Sequence, residues 1–254
     1  MSLVLIIGAT GSVGRHVVSE ALNNGHRARV LTRKNADIRK FPADIEQVTG
    51  DLTDINSLYL AVKDVDAIIF THGTHGYEQQ GFEQVDYGGV RNVIQALGGR
   101  PVHIALMTAI GVTVRSTMHD WKRRAERLVR ASSCRYTIVR PGWFDYNAAN
   151  QLKLVALQGD NRRDGSPKDG VISRHQIAQV LVNSISLPDA WNKTFELVAE
   201  TGPATEDFVS FFRSVDQDGD GVDAIHDRDN MPMNEEPERV VSAMHAAAPT
   251  RITR

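Results

Sequence analysis

Apolar residues along this chain come in two rhythms, short continuous runs and sets spaced at helical period, and the two alternate up to about residue 141. Residues 3–7 are an unbroken aliphatic run, the pattern of a strand buried on both faces. Val13, Val17, Val18, Ala21 and Leu22 then recur at helical spacing until Asn23-Asn24-Gly25 stops them. The same alternation predicts strands over 28–31, 45–48, 66–70, 102–107 and 136–140. Helices are predicted between them over 54–62, 82–97 and 119–131, the last with Trp121, Ala125 and Leu128 on one face. This rhythm calls for an α/β fold, a doubly wound parallel sheet with right-handed crossovers. Past Pro141 the pieces are shorter: strands over 152–157 and 194–198, and helices over 176–185 and 206–215. With the glycine-rich, charged loop over 159–170, they suit a small substrate-covering lobe on the carboxyl side of the sheet.

The turn between the first strand and helix is Gly8-Ala9-Thr10-Gly11-Ser12-Val13-Gly14. Its first glycine permits a tight turn, its second lets a ligand approach the backbone, and its third lets helix and strand pack closely. The N–H groups and positive end of the helix near Ser12 then face whatever anion lies over the turn, and a dinucleotide pyrophosphate is the usual occupant. The second strand ends in Thr32-Arg33-Lys34. An acidic residue there would bond the ribose hydroxyls of NAD, whereas Arg33, with Lys34 beside it, suits the 2′-phosphate of NADP. The alternative is an exposed basic turn. Asp51, after the third strand, suits the adenine amino group with Leu52 over the ring, or caps the next helix together with Thr53. The fourth strand leads into Thr71-His72-Gly73-Thr74-His75-Gly76, a loop placed to cross the coenzyme because ligands sit beyond the carboxyl ends of such strands. His72 and His75 have no cysteine or carboxylate nearby in sequence, so no metal is expected.

Composition narrows the setting. At 254 residues, 41% hydrophobic and 24% charged, the chain reads as one large soluble domain with an appendage: a dinucleotide-binding core over 1–150, the lobe over 151–215 interleaved with it, and an acidic, irregular tail over 216–254. A single cysteine, Cys134, excludes a disulfide framework, and the short apolar start lacks a basic flank, so a cytoplasmic location is expected. The net charge of −2 gives no reason to expect nucleic acid, and no run is long enough for a membrane span. From Arg213 to Glu238 nine acidic residues face two arginines, which reads as a solvated segment. Asp216-Gln-Asp218-Gly-Asp220-Gly221 imitates a calcium loop but fails at Asp223 and Asp227.

The chain resembles the atypical, or extended-like, short-chain dehydrogenase/reductases of the NmrA-like, NAD(P)H-binding group. The resemblance rests on the glycine run, Gly50-Asp51-Leu52, Val85 to Asn92, Lys122-Arg-Arg-Ala-Glu126, Tyr136 to Trp143 and Ile172-Ser-Arg-His175. It implies a Rossmann sheet, NADP(H), Lys122 as a ribose anchor, Thr108 as a group that orients a carbonyl, and Pro141 and Gly142 beside the coenzyme. The family's usual chemistry places a tyrosine four residues before the lysine, on one helix face. Met118 stands there, and a thioether carries no transferable proton. Three readings follow: a reductase of a quinone or flavin, a coenzyme-binding redox sensor acting through a protein partner, or a carbonyl reductase using Tyr87, Tyr146 or His119 as displaced donor. A small-molecule substrate is expected, in a monomer or homodimer.

Overall fold

The computed structural model describes residues 1–36, 41–42, 45–74 and 79–248. Strand β1 (Leu3–Ile7) is buried throughout and turns through the glycine run into α1 (Gly14–Asn23). β2 (Arg27–Thr32) and β3 (Glu46–Thr49) follow, then a 3-10 turn (Ile55–Ser57), the one-turn α2 (Tyr59–Val62) and β4 (Ala67–Phe70). The short α3 (Gln79–Gly81) passes through a π-helical segment (Phe82–Tyr87) into α4 (Gly88–Leu97), β5 (His103–Met107), α5 (Thr117–Ala131) and β6 (Arg135–Pro141). The remainder comprises β7 (Trp143–Phe144), β8 (Lys153–Leu157), β9 (Val171–Ile172), α6 (Arg174–Ser186), β10 (Lys193–Glu200), α7 (Phe208–Arg213) and α8 (Glu238–Ala247).

One eight-stranded sheet runs in the order β3-β2-β1-β4-β5-β6-β10-β8, parallel except for β8, which lies antiparallel to β10. β7 and β9 form a second, two-stranded sheet. This is the doubly wound architecture expected from the alternation, and the chain reverses direction across the sheet between β1 and β4. Side chains of Leu5, Ile7, Ile68 and Phe70 join α4, α5 and α8 in one core layer. Their neighbours Val4, Ile6, Ala67 and Ile69 join α1, α6 and α7 in the other. Successive residues of a strand face opposite layers, which is why both residues of each pair are apolar.

Two helices differ from expectation. The helix expected over 54–62 is split, because the Asp54 side chain accepts from Asn56 N and starts a 3-10 turn before α2. The one over 82–97 opens as a wider π turn, and that turn carries Asp86 into the interior.

The acidic segment is solvated only in part: Asp216, Asp220, Asp229, Glu235 and Glu238 are exposed, while the other four acids turn inward. Asp218, Asp223, Asp227 and Glu236 meet the arginines of α5 and β6 in buried or partly buried ion pairs. Asp223 bridges Arg123 at 3.1 Å and Arg127 at 2.7 Å, and Asp227 takes Arg140 through two contacts of 2.7 Å. Burial opposes ionisation of both aspartates, yet the surrounding guanidiniums hold both carboxyls below the ordinary range. The end of the tail, expected to be irregular, forms α8, which seats Val240 and Met244 against the core. Amphipathic spacing supplied the helix; its partner is the apolar face of α4 and α5.

Candidate coenzyme and substrate site

Three glycines shape the turn at the carboxyl end of β1. Gly8 has φ of 83°, and a Cβ there would sit 2.7 Å from His72 N. A Cβ on Gly14 would lie 2.1 Å from Gly8 O, and one on Gly11 3.0 Å from the same oxygen. A side chain at Gly8 or Gly14 would force the backbone apart, and one at Gly11 would be tightly placed. Thr10, Gly11 and Ser12 are exposed, whereas Val13 is buried and anchors the start of α1. No side chain caps that helix and no acidic residue occupies its first turn; Arg15, His16 and Val17 donate to Gly11 O and Val13 O, which leaves the N–H groups of Ser12 to Gly14 and the positive end of the helix to an anion. This cradle fits the pyrophosphate of a dinucleotide.

At the adenine end, Arg33 and Lys34 are exposed just past β2. Asp51 accepts from Thr53 N at 2.8 Å and Thr53 Oγ1 at 2.7 Å; these bonds, with the nearby charge of Arg33, keep its carboxyl low. Leu52 is half-buried against Gly89, and its carbonyl accepts from Asn92 Nδ2 at 2.7 Å, so α4 fixes this corner.

The loop after β4 is tied on both sides. Thr71 Oγ1 donates to Ile7 O at 3.0 Å. His72 Nε2 lies 3.0 Å from Val85 O, so that nitrogen carries the proton, and burial lowers the ring's pKa to about 4. His72 is thus neutral near pH 7. His75 lies outside the described residues. Past His72, Asp86 Oδ1 accepts from Thr74 N at 2.8 Å, while Asp86 Oδ2 meets Lys122 Nζ at 3.2 Å. The ammonium stands 3.8 Å from where a Gly73 Cβ would be. A β-carbon there would only touch the lysine and Asp86 at ordinary contact distance.

Lys122 and Glu126 lie one turn apart on the same face of α5. Glu126 is fully buried and accepts from Thr108 Oγ1 at 2.7 Å and from Arg140 Nη2 at 2.6 Å. Arg140 also meets Glu196 at 3.2 Å. Burial foremost, with the nearby Asp160 charge, pushes Glu196 up to about 7 against the pull of Arg140. Asp160 itself clamps the loop after β5, accepting from Gly111 N at 2.6 Å and Thr113 N at 2.7 Å. Glu196 lines a cavity of about 140 Å³ together with Ile110, Gln158 and Arg162.

Pro141 ends β6, and Gly142 follows it. Gly142 is pressed on the backbone, where a Cβ would sit 2.5 Å from Gly170 O, and Ile110 N donates to Pro141 O at 3.1 Å. The three displaced donors sit in different surroundings. The Tyr87 hydroxyl is buried against Trp121 without a partner, Tyr146 is 65% exposed and packs edge-on to Trp143, and His119 Nδ1 is engaged with Val114 O. Val114, Met118, Trp143, Tyr146 and Leu152, all exposed, lie in the segments that follow the carboxyl ends of β5 and β6, Met118 in the first turn of α5 and Trp143 in β7.

Fold and cradle together define a Rossmann-type dinucleotide-binding protein. A family model described as NAD(P)H-binding matches residues 8–188, and the chain belongs to that family. Sanguinarine reductase of Eschscholzia californica is 25% identical, the match covering 84% of this chain and 95% of the relative. Among solved structures, an anaerobillin reductase from Escherichia coli superposes with a TM-score of 0.63 at 21% identity, covering 80% of this chain and 100% of the other. A short-chain dehydrogenase/reductase from Veillonella parvula, in complex with NADP, has a TM-score of 0.60 at 14% identity, covering 78% and 94%.

Asp86, Glu126, Arg140, Asp160 and Glu196 were given no site role by sequence reasoning. Asp86, Glu126 and Arg140 lie inside motifs that support the family resemblance, which was the available signal.

Proposed function

We propose that this chain is an NADPH-dependent reductase of a small, flat acceptor of the quinone or flavin type, working without an enzymic phenol. The observation that carries this reading is Lys122 poised beside Gly73 while the position four residues earlier is Met118, 37% exposed. Such acceptors collect their proton from water, so the missing tyrosine costs them little. The exposed apolar residues around the carboxyl edge suit a flat aromatic surface. Reductase activity in a relative such as sanguinarine reductase supports the same reaction class.

The coenzyme, when bound, supplies a hydride. The chain's own residues do the rest: the glycine turn and α1 receive the pyrophosphate, Arg33 and Lys34 the 2′-phosphate, and Asp51 and Leu52 the adenine. The loop over 71–73 lines the path between them, and Lys122 donates to the far ribose. Pro141 and Gly142 close the site from β6.

The test is oxidation of NADPH, followed at the nicotinamide absorbance band, against a panel of quinones and free flavins. Turnover lost in Gly11→Asp, whose carboxylate would repel the pyrophosphate, is the expected result. Coenzyme binding without turnover on any acceptor overturns the reductase reading in favour of a redox sensor acting through a protein partner.

A further inference from the structure

The direction of one hydroxyl hydrogen sets what the substrate must carry. Thr108 follows β5, is 7% exposed, and donates its Oγ1 hydrogen to Glu126 Oε1 at 2.7 Å. Glu126 is held by Arg140 Nε at 3.1 Å, Arg140 Nη2 at 2.6 Å and Arg130 Nη2 at 3.3 Å. Burial alone would favour the neutral acid, but two permanently charged guanidiniums outweigh it and keep the carboxyl ionised. A carboxylate only accepts, so the hydrogen in the Thr108–Glu126 bond belongs to the threonine. A hydroxyl has one hydrogen, and here it is spoken for.

We propose that Thr108 faces the reactant as an acceptor only, so that among the flat acceptors proposed above the site selects those bearing a ring N–H or phenolic O–H, as flavins do, over simple quinones, which bear neither. Thr108 is then a specificity residue, and Glu126 the positioning residue that turns it. A bare carbonyl oxygen set against Thr108 would meet lone pairs rather than a proton, the reverse of the role the family resemblance implies. Lys122, one turn from Glu126 on the same helix face, offers only donors. An edge presenting a carbonyl beside an N–H or O–H therefore satisfies both side chains, as the imide edge of an isoalloxazine does. This inference rests on the aromatic-acceptor reading above.

The test is binding rather than turnover. The full chain, saturated with NADP⁺, is titrated calorimetrically with 2-naphthol and with 2-methoxynaphthalene, which share a bicyclic body but differ in the donor. Native protein and Thr108→Ser should favour the naphthol by about fivefold, the worth of one ordinary hydrogen bond. Thr108→Val should bind the two alike. Glu126→Gln, whose amide can donate to Thr108 and send its hydrogen into the site, should shift preference toward the ether. Should that variant fail to fold, the serine and valine pair still decides. A preference that survives in Thr108→Val is steric and overturns the inference, as does equal binding in the native protein. Failure of both probes to bind coenzyme-loaded protein overturns the aromatic-acceptor reading, and this inference with it.

Discussion

Lys122 Nζ lies 3.2 Å from Asp86 Oδ2, while Asp86 Oδ1 takes the N–H of Thr74 at 2.8 Å. One buried carboxylate thus joins α5 to the loop that follows β4. In this chain a carboxylate, rather than a phenol, neighbours the lysine. Asp86→Asn should release the ammonium from its place beside Gly73 and weaken NADPH binding by about tenfold, with a stability loss of about 2 to 3 kcal/mol from disturbing a buried pair. Fluorescence titration alongside chemical denaturation separates the two effects. Native affinity in the variant would remove the positioning role.

Arg33 belongs to coenzyme choice. Its fork stands past β2, and its charge reaches Asp51. Arg33→Ala should lower NADPH affinity by about tenfold and leave NADH affinity nearly unchanged, because only the former carries a 2′-phosphate. Tryptophan quenching by each coenzyme measures both. Equal affinities for the two coenzymes in the native protein would discard the phosphate argument.

Gly14→Ala probes the cradle. The added methyl would lie 2.1 Å from Gly8 O, so backbone must move. We expect a stability loss above about 2 kcal/mol and no measurable coenzyme binding. Thermal unfolding with and without NADPH should show that the coenzyme-induced rise in Tm has vanished.

Asp223 bridges two arginines whose side chains are each 1% exposed. Asp223→Ala leaves both guanidiniums short of a partner away from water, a loss of about 3 kcal/mol. Urea unfolding gives the value. A change below about 0.5 kcal/mol, the scale of exposed pairs, would show that the tail is only loosely seated.

Glu196, raised to about 7 chiefly by burial, gives a signed pH prediction. The folded state holds its proton at pH values where the unfolded chain has released it. This contribution is complete below the unfolded value near 4.5 and is lost as pH rises through 7. His72, lowered to about 4, and His103, lowered to about 3, act in the opposite sense, because folded protein keeps them neutral while unfolded chain takes up protons below about 6.5. Comparison with Glu196→Gln isolates the carboxyl: between pH 5 and 8 the native protein should lose up to about 3 kcal/mol more stability than the variant. Parallel pH curves would mean Glu196 is ionised throughout.

Much of the fold is legible in the chain because strand and helix periods alternate cleanly from Leu3 to Arg140, and because a glycine turn between them has few uses. The first half of the site follows from the same logic, since Gly8 and Gly14 occupy places where a β-carbon would collide and Gly11 one where it would be crowded. What stays hidden is pairing across distance. The acids of residues 216–236 look solvated in sequence because their counter-charges lie far off; Arg127 and Asp223 are 96 residues apart. Asp86 resembles any helical aspartate until the π turn points it at Lys122. The Thr108 hydroxyl is likewise a plausible carbonyl partner until Glu126 is seen to take its hydrogen.

The arginines of α5 have a bearing on how the polypeptide is made. When a ribosome has delivered Ser214, the Rossmann strands and their helices are all available, yet Arg123, Arg124 and Arg127 still await the carboxylates that neutralise them. A nascent chain that stops short of Asp223 would carry a row of uncompensated cations on a helix meant for the interior, which disfavours docking of α5 until the segment from Asp223 to Glu236 is made. Those acids follow the helix by about a hundred residues, so the segment from Asp223 to Glu236 is the one that seals α5 into the molecule.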